Sequence, residues 1–106
     1  MRKVTEKAVQ AFVAGRNFSQ GNTRVSVVDG HDVALALHGN VIALLDTRTG
    51  IVQVNNKGYD TNTTKERLNG VISAFGGDTI YQKNWEWYRD VNGERVAFPY
   101  NKWVTL

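Results

Sequence analysis

Cysteine is absent from the 106 residues of this chain. A disulfide framework and a thiolate metal site are therefore both excluded, and a reducing compartment fits. Histidine is nearly absent: His31 falls in a turn and His38 beside one, so a nucleophile has almost no choice of neighbouring base. Long apolar runs are missing too. No window approaches the roughly 20 residues of a membrane span. In the N-terminal segment MRKVTEKAVQ, acidic Glu6 interrupts the apolar core that a signal peptide requires. These absences make the cytoplasm the expected location and give no reason to expect a membrane partner. No G-x-G-x-x-G and no Walker pattern occurs, so no cofactor is expected. The thirteen cations are scattered in runs of at most two, with a net charge of +3. A basic tail is thus excluded, whereas a basic groove assembled by folding is not.

What is present reads as one domain over residues 1–106. Its 42% apolar share is ordinary for a globular chain and enough for a single core. Ala8, Val9, Phe12 and Val13 lie at helical spacing over Thr5–Ala14, with Thr5 as N-cap and Gly15 as stop. Residues 16–23 read as a polar loop anchored by Phe18. Four apolar or alternating segments follow, 23–29, 32–38, 40–46 and 50–56. The links between them are short and turn-like, so they form an antiparallel meander. The second and third are apolar on both parities, the pattern of central strands covered on both faces.

Residues 63–75 carry Leu68, Val71, Ile72 and Phe75 at i, i+3, i+4 and i+7, a second amphipathic helix. Thr63-Thr64-Lys65-Glu66 fits a capping box, with Thr63 as N-cap and Glu66 reaching back. Segments 79–90 and 94–99 then flank Asn92-Gly93, a strong hairpin signal. That turn pairs Asp90 with Arg95, Tyr88 with Ala97 and Trp87 with Phe98. The tail NKWVTL can add a last short strand. The fold class is α+β: a helix, four strands, a helix and two or three strands, with both helices on one face of an antiparallel sheet. Whether the C-terminal hairpin extends the first sheet is left open.

Enzyme chemistry finds little support. Ser19, Ser26 and Ser73 lie in no motif with a histidine. Asp29, His31 and Asp32 are explained by turn composition before metal ligation, so neither a metal site nor catalysis is expected. The start of the second helix is a better candidate for binding. Unpaired amides and the positive dipole end meet Thr61, Asn62, Thr63 and Thr64, with Lys65 and Arg67 adding charge. Read plainly, the same residues are only a well-made cap. Trp85 and Trp87 fall on one face of their segment, and Glu86 and Tyr88 on the other. Tyr88 beside Gln82 and Lys83 offers a stacking surface for a base, although packing explains most of the tryptophans equally well. The expected arrangement is a single cationic hollow shared by the threonine-rich helix start and the Trp87-Tyr88 strand. Its ligand would be a nucleotide or another small anion.

Several blocks of the chain resemble a known group. They are Asn17-Phe18 with Gly21-Asn22-Thr23, Leu37-His38-Gly39-Asn40, the block Gly58-Tyr59-x-Thr61-Asn62-Thr63-Thr64-Lys65-Glu66-Arg67-Leu68-Asn69-Gly70, Gln82-Lys83 and Trp87-Tyr88. The pattern is similar to small proteins of tailed bacteriophages and prophages. Tyr59 stands where the group has tryptophan, which keeps an aromatic there. The resemblance covers nearly the whole chain and carries over no catalytic residue. It implies an accessory protein acting by binding in the host cytoplasm, against host defences or host enzymes. A nucleotide, nucleic acid or a host protein is the implied partner. A dimer or small homo-oligomer is expected because a short sheet leaves edges to cover.

Overall fold

The computed structural model describes residues 2–106. Among them two helices and nine strands alternate in an α+β order. Helix α1 (Lys3–Ala14) buries Ala8, Val9, Ala11 and Phe12, and ends at Gly15, whose left-handed backbone returns its N–H to the carbonyls of Ala11 and Phe12. It begins two residues earlier than the spacing indicates. Thr5 is therefore no cap; it lies buried in the first turn, and Arg2 occupies the cap position without a side-chain capping bond.

The meander is there, with one strand more than expected. Strand β1 (Phe18–Gln20) occupies the segment read as a loop and pairs Phe18 with Val25 of β2 (Thr23–Val28). β3 (Asp32–Leu37), β4 (Asn40–Asp46) and β5 (Ile51–Val54) follow in antiparallel register. Paired residues share a face, so Val25, Leu35, Ala43 and Val54 form one buried row and Val33, Leu45 and Val52 another. α1 packs on this side against β1–β3. α2 (Asn62–Ala74) packs against α1 and β4, with Leu68, Val71 and Ile72 buried.

The opposite face is not covered as the apolar pattern suggested. Ala34 is buried there, but Ser26, Ala36, Val41, Leu44 and Gln53 are only half-buried. Two causes explain the misleading pattern. β3 carries alanines on that side, and β4 changes parity at a bulge. Leu35 pairs with Ala43 but Ala36 with Val41, so Ile42 is the extra residue, and its side chain is buried in the core.

The C-terminal strands form a second sheet. Segment 79–90 is not one strand but two, β6 (Tyr81–Lys83) and β7 (Glu86–Val91). They are joined by Asn84 and Trp85, whose φ angles of 52° and 69° make a two-residue hairpin of the I′ kind. β7 turns at Asn92-Gly93 into β8 (Glu94–Ala97) with the anticipated pairs Asp90–Arg95 and Tyr88–Ala97. Phe98 donates its N–H to the Trp87 carbonyl, and the two rings lie 6.1 Å apart. Ile80, Trp87 and Phe98 tie this sheet to the main core. Asn69 of α2 holds Ile80 at both backbone groups, accepting from its N–H at 2.7 Å and donating to its carbonyl at 3.1 Å. The last strand, β9 (Val104–Thr105), returns to the first sheet beside β5.

One polar cluster crosses the whole layer. Arg67 of α2 is 1% exposed. It donates to the Thr23 hydroxyl of β2 at 3.1 Å, to the Thr5 hydroxyl of α1 and to Glu66 Oε1 at 2.6 Å. The Thr5 hydroxyl in turn donates a hydrogen bond to the same carboxylate at 2.6 Å. Burial pushes the Glu66 carboxyl up. The Thr5 hydroxyl and the charges of Arg2 and Arg67 outweigh that, so it titrates below its ordinary value. A depressed carboxyl stabilises the fold fully above its ordinary value near 4.5 and loses that contribution as pH falls through its lower folded value. Glu66→Gln should therefore cost about 2–3 kcal/mol at neutral pH, since it leaves a buried guanidinium without its counter-charge. Arg67→Met, which removes the buried ion, should cost less. Urea titrations check both, and the gap between the native chain and Glu66→Gln should narrow below about pH 4.5. A constant gap contradicts this reading.

Candidate functional site

The segment between β5 and α2 is built by two asparagines. Both are buried. Asn55 Oδ1 accepts from the N–H of Lys57 at 2.7 Å, and Asn56 Oδ1 accepts from Gly58 at 3.0 Å and from Asn101 at 2.8 Å. Lys57 and Gly58 take left-handed backbone, with φ of 56° and 82°. The Tyr100 hydroxyl donates to the Gly58 carbonyl. These bonds pin the segment to the chain that leaves β8. Beyond the turn the chain enters α2 through Thr61, whose backbone is extended. Tyr59 and Thr61 turn to one hollow and Asp60 to another.

The first hollow, about 250 Å³, lies at the start of α2 against the β3–β4 turn. Leu37 and Ile42 form its apolar part; His38, Asn40, Tyr59, Thr61, Thr63 and Thr64 supply polar groups. Thr61, not Thr63, is the N-cap: its hydroxyl accepts from the Thr64 N–H at 3.2 Å and lies 2.9 Å from the Thr64 hydroxyl. The capping box is not formed, because Glu66 is drawn away to Thr5 and Arg67. The Asn62 and Thr63 amides, at the first two helical positions, have no intrahelical acceptor. His38 is held on left-handed backbone, φ 51°, with Nε2 3.3 Å from the Asn22 amide nitrogen.

The second hollow, about 380 Å³, opens between the Asn56–Asp60 segment and the C-terminal sheet. Trp85, Trp87, Phe98 and Tyr100 provide aromatic walls, Ala97 and Pro99 fill between them, and Asp60 and Glu86 are its charged members.

The single cationic hollow expected from the sequence is thus not formed. Of the eleven residues proposed for it, Tyr59, Thr61, Thr63 and Thr64 share the first hollow. Asn62 is exposed on the helix beside it, and Lys65, half-buried, does not line it. Arg67 is in the core, its charge spent on Thr5, Thr23 and Glu66. Gln82 and Lys83 are exposed on β6, away from both hollows. Trp87 is buried and belongs to the second hollow. Tyr88 donates its hydroxyl to Glu86 at 2.7 Å, a bond that raises the phenol above its ordinary pKa, and Arg95 covers its ring at 5.5 Å. Trp85 does not share the Trp87 face; it is the second residue of the hairpin turn and 90% exposed. Asp90 and Arg95 meet through the Tyr81 hydroxyl, which donates to Asp90 at 2.8 Å and accepts from Arg95 at 3.2 Å.

Asp60, Trp85 and Tyr100 were missed as site residues. The turn-rich run Asn55-Asn56-Lys57-Gly58, just after the strand segment read as 50–56, is the signal that could have pointed to Asp60. Among the described residues, no group of three or more histidines or carboxylates is gathered as for a metal ion. No helix among them is long and apolar enough to cross a membrane.

Fold and site together define a small α+β domain that presents two shallow hollows on either side of one asparagine-locked segment. Residues 1–105 match the model of the Kyanoviridae Gp96 protein family, and the chain belongs to that family. It is a small phage protein, as the resemblance implied. No curated protein and no solved structure matches it.

The cap assignment has a direct consequence. Thr61→Ala should lower stability by about 1 kcal/mol, because the Thr64 N–H loses its acceptor. Thr63→Ala should stay within about 0.5 kcal/mol of the native chain. Equilibrium unfolding of the two variants separates the caps, and the reverse order would restore Thr63 to that role.

Proposed function

We propose that this phage protein is an accessory factor that acts by binding, without catalysis, and that its C-terminal hairpins form the docking face for a host protein. Trp85 carries this reading. A non-glycine residue on left-handed backbone costs about 1–3 kcal/mol, and a two-residue turn of this kind accepts asparagine or glycine with less strain. The indole held there makes almost no contact with its own chain. A large apolar side chain kept exposed at such a cost is suited to insertion into a partner. Residues 78–106 hold four cations against four carboxylates, so the net positive charge of the chain resides elsewhere. That balance favours a protein over nucleic acid, whose phosphates call for a cationic track.

Trp85→Gly separates folding from binding. Glycine relieves the turn, so stability should be unchanged or higher by up to about 1 kcal/mol. Affinity capture from host lysate, quantified against Thr63→Ala, should show a partner retained by the native chain and by Thr63→Ala but lost with Trp85→Gly. Equal capture by all three removes the hairpin from the docking face.

A second reading is favoured by the hollow at the start of α2. The free amide of Thr63, three threonine hydroxyls and a half-exposed Tyr59 suit a nucleotide or another small phosphate-bearing ligand, though without the charge of Arg67. On this reading mononucleotides raise the melting temperature of the native chain, and Tyr59→Ala abolishes the rise. Absence of any shift across nucleotides, cyclic dinucleotides and inorganic phosphate excludes it.

A further inference from the structure

We infer that the open face of the first sheet, opposite the helices, is a self-association surface on which a second copy of this chain stacks face to face.

Strand pairing lays this face out in three rows. Arg24, Ala36 and Val41 form one end, Ser26, Ala34, Leu44 and Gln53 the middle, and Val28, Asp32, Asp46 and Ile51 the other end. Val28 and Ile51 are exposed, and the middle row is small or apolar apart from Gln53. Small side chains let a second sheet approach to the spacing of about 10 Å at which sheets stack. Edge pairing is the usual alternative. Here the edges are poor templates, because β1 has three residues and β9 two. The face, not an edge, is the surface left to cover.

Charge points to the occupant. A two-fold interface must be self-complementary, since the same patch meets itself. The two ends of this face carry opposite signs. A hollow of about 320 Å³ at one end includes Arg24 and His38 and no carboxylate. A hollow of about 510 Å³ at the other includes Asp32 and Asp46 and no lysine or arginine. Arg24 is exposed and forms no ion pair among the described residues. Arg48 neutralises Asp46 from beside it, which leaves one net negative charge at that end, on Asp32, 3.7 Å from His31. A two-fold axis running across the strands lays the Arg24 end of one copy over the Asp32 end of the other, twice. The same axis stacks the two Ala34–Leu44 rows on each other. Nucleic acid would instead meet carboxylates over half of the face.

The face measures roughly 25 by 20 Å, about 500 Å² on each copy at the spacing and rise of β-strands. A standard stable interface takes about 800 Å² from each partner, so the dimer is weak, with a dissociation constant on the order of 100 µM. The C-terminal sheet lends no residue to either end hollow, so dimerisation and hairpin docking use different surfaces. A dimer would present two copies of the docking hairpin to its target.

Sedimentation equilibrium from about 10 µM to about 1 mM tests the surface. The native chain and Trp85→Gly should both approach twice the monomer mass over this range. Leu44→Lys, which sets a charge in the middle row, should weaken association by at least about tenfold. Arg24→Asp and Asp32→Arg, both at solvent-accessible positions, should each weaken it by at least about fivefold, because like charges then face each other. An equimolar mixture of these two variants should associate as tightly as the native chain, since each contact again joins opposite charges. Circular dichroism checks that every variant is folded, and the charge pair decides the matter if Leu44→Lys is not. A native chain that stays monomeric at about 1 mM overturns the inference, as does association that none of the substitutions weakens. Failure of the mixture to recover overturns the two-fold arrangement. A monomeric native chain that captures a host protein, and loses it with Leu44→Lys, would give the face to a foreign partner and overturn self-association. Failure of Trp85→Gly to lose a host partner would sink the docking reading while leaving the dimer standing.

Discussion

Arg67 holds three elements at one point. Its guanidinium joins the first turn of α1 through Thr5, the start of β2 through Thr23 and its own helix through Glu66. Apolar packing between helices and sheet is non-directional and would tolerate several helix positions. A buried cation is less permissive, because each donor left unpaired inside costs more than a paired one gains. The register of α2 against α1 and the sheet is thereby set. Thr61, Thr63 and Thr64 follow as the first turn of that helix, and the segment before them reaches back to β5.

From there the placement of both hollows is a matter of geometry. Asn55 and Asn56 turn the chain sharply as it leaves β5, and Asn56 also grips Asn101. The C-terminal sheet is fastened on one side by that grip and on the other by Asn69 around Ile80. Three asparagine side chains thus do in this segment what strand pairing does elsewhere, supplying partners to backbone groups that would otherwise go unpaired. The stretch before α2 gives Tyr59 and Thr61 to one hollow and Asp60 to the other.

The order of elements was legible in the sequence because periodicity and turn chemistry are local. Asn92-Gly93 announced its hairpin and its register, and the apolar stripe of α2 announced its buried face. The failures share a different cause: a long-range partner overrode a local pattern. Glu66 has the spacing of a capping-box residue, but Thr5 and Arg67 lie nearer to its carboxylate. Thr5 looks like a cap, yet its hydroxyl has a partner 61 residues away. β1 could not be seen because its three residues exist only as the partner of β2. Asn84-Trp85 lacks the glycine that marks such turns, so two short strands read as one.

Charge shows the same limit most clearly. A net of +3 and a threonine-rich helix start beside Lys65 and Arg67 suggested a cationic hollow. Net charge describes a sum, whereas a ligand meets only the charges that folding leaves unpaired around it. Here Arg67 is taken by Glu66, Arg48 by Asp46 at 3.3 Å, and Lys57 and Arg95 by aromatic rings. Asp60 and Glu86, minority charges in the composition, are carried instead to the wall of the larger hollow. No lysine or arginine lines that hollow, so its charged residues differ in sign from the chain as a whole. The cation that could have faced an anionic ligand at the start of α2 is the one holding the helices and the sheet together.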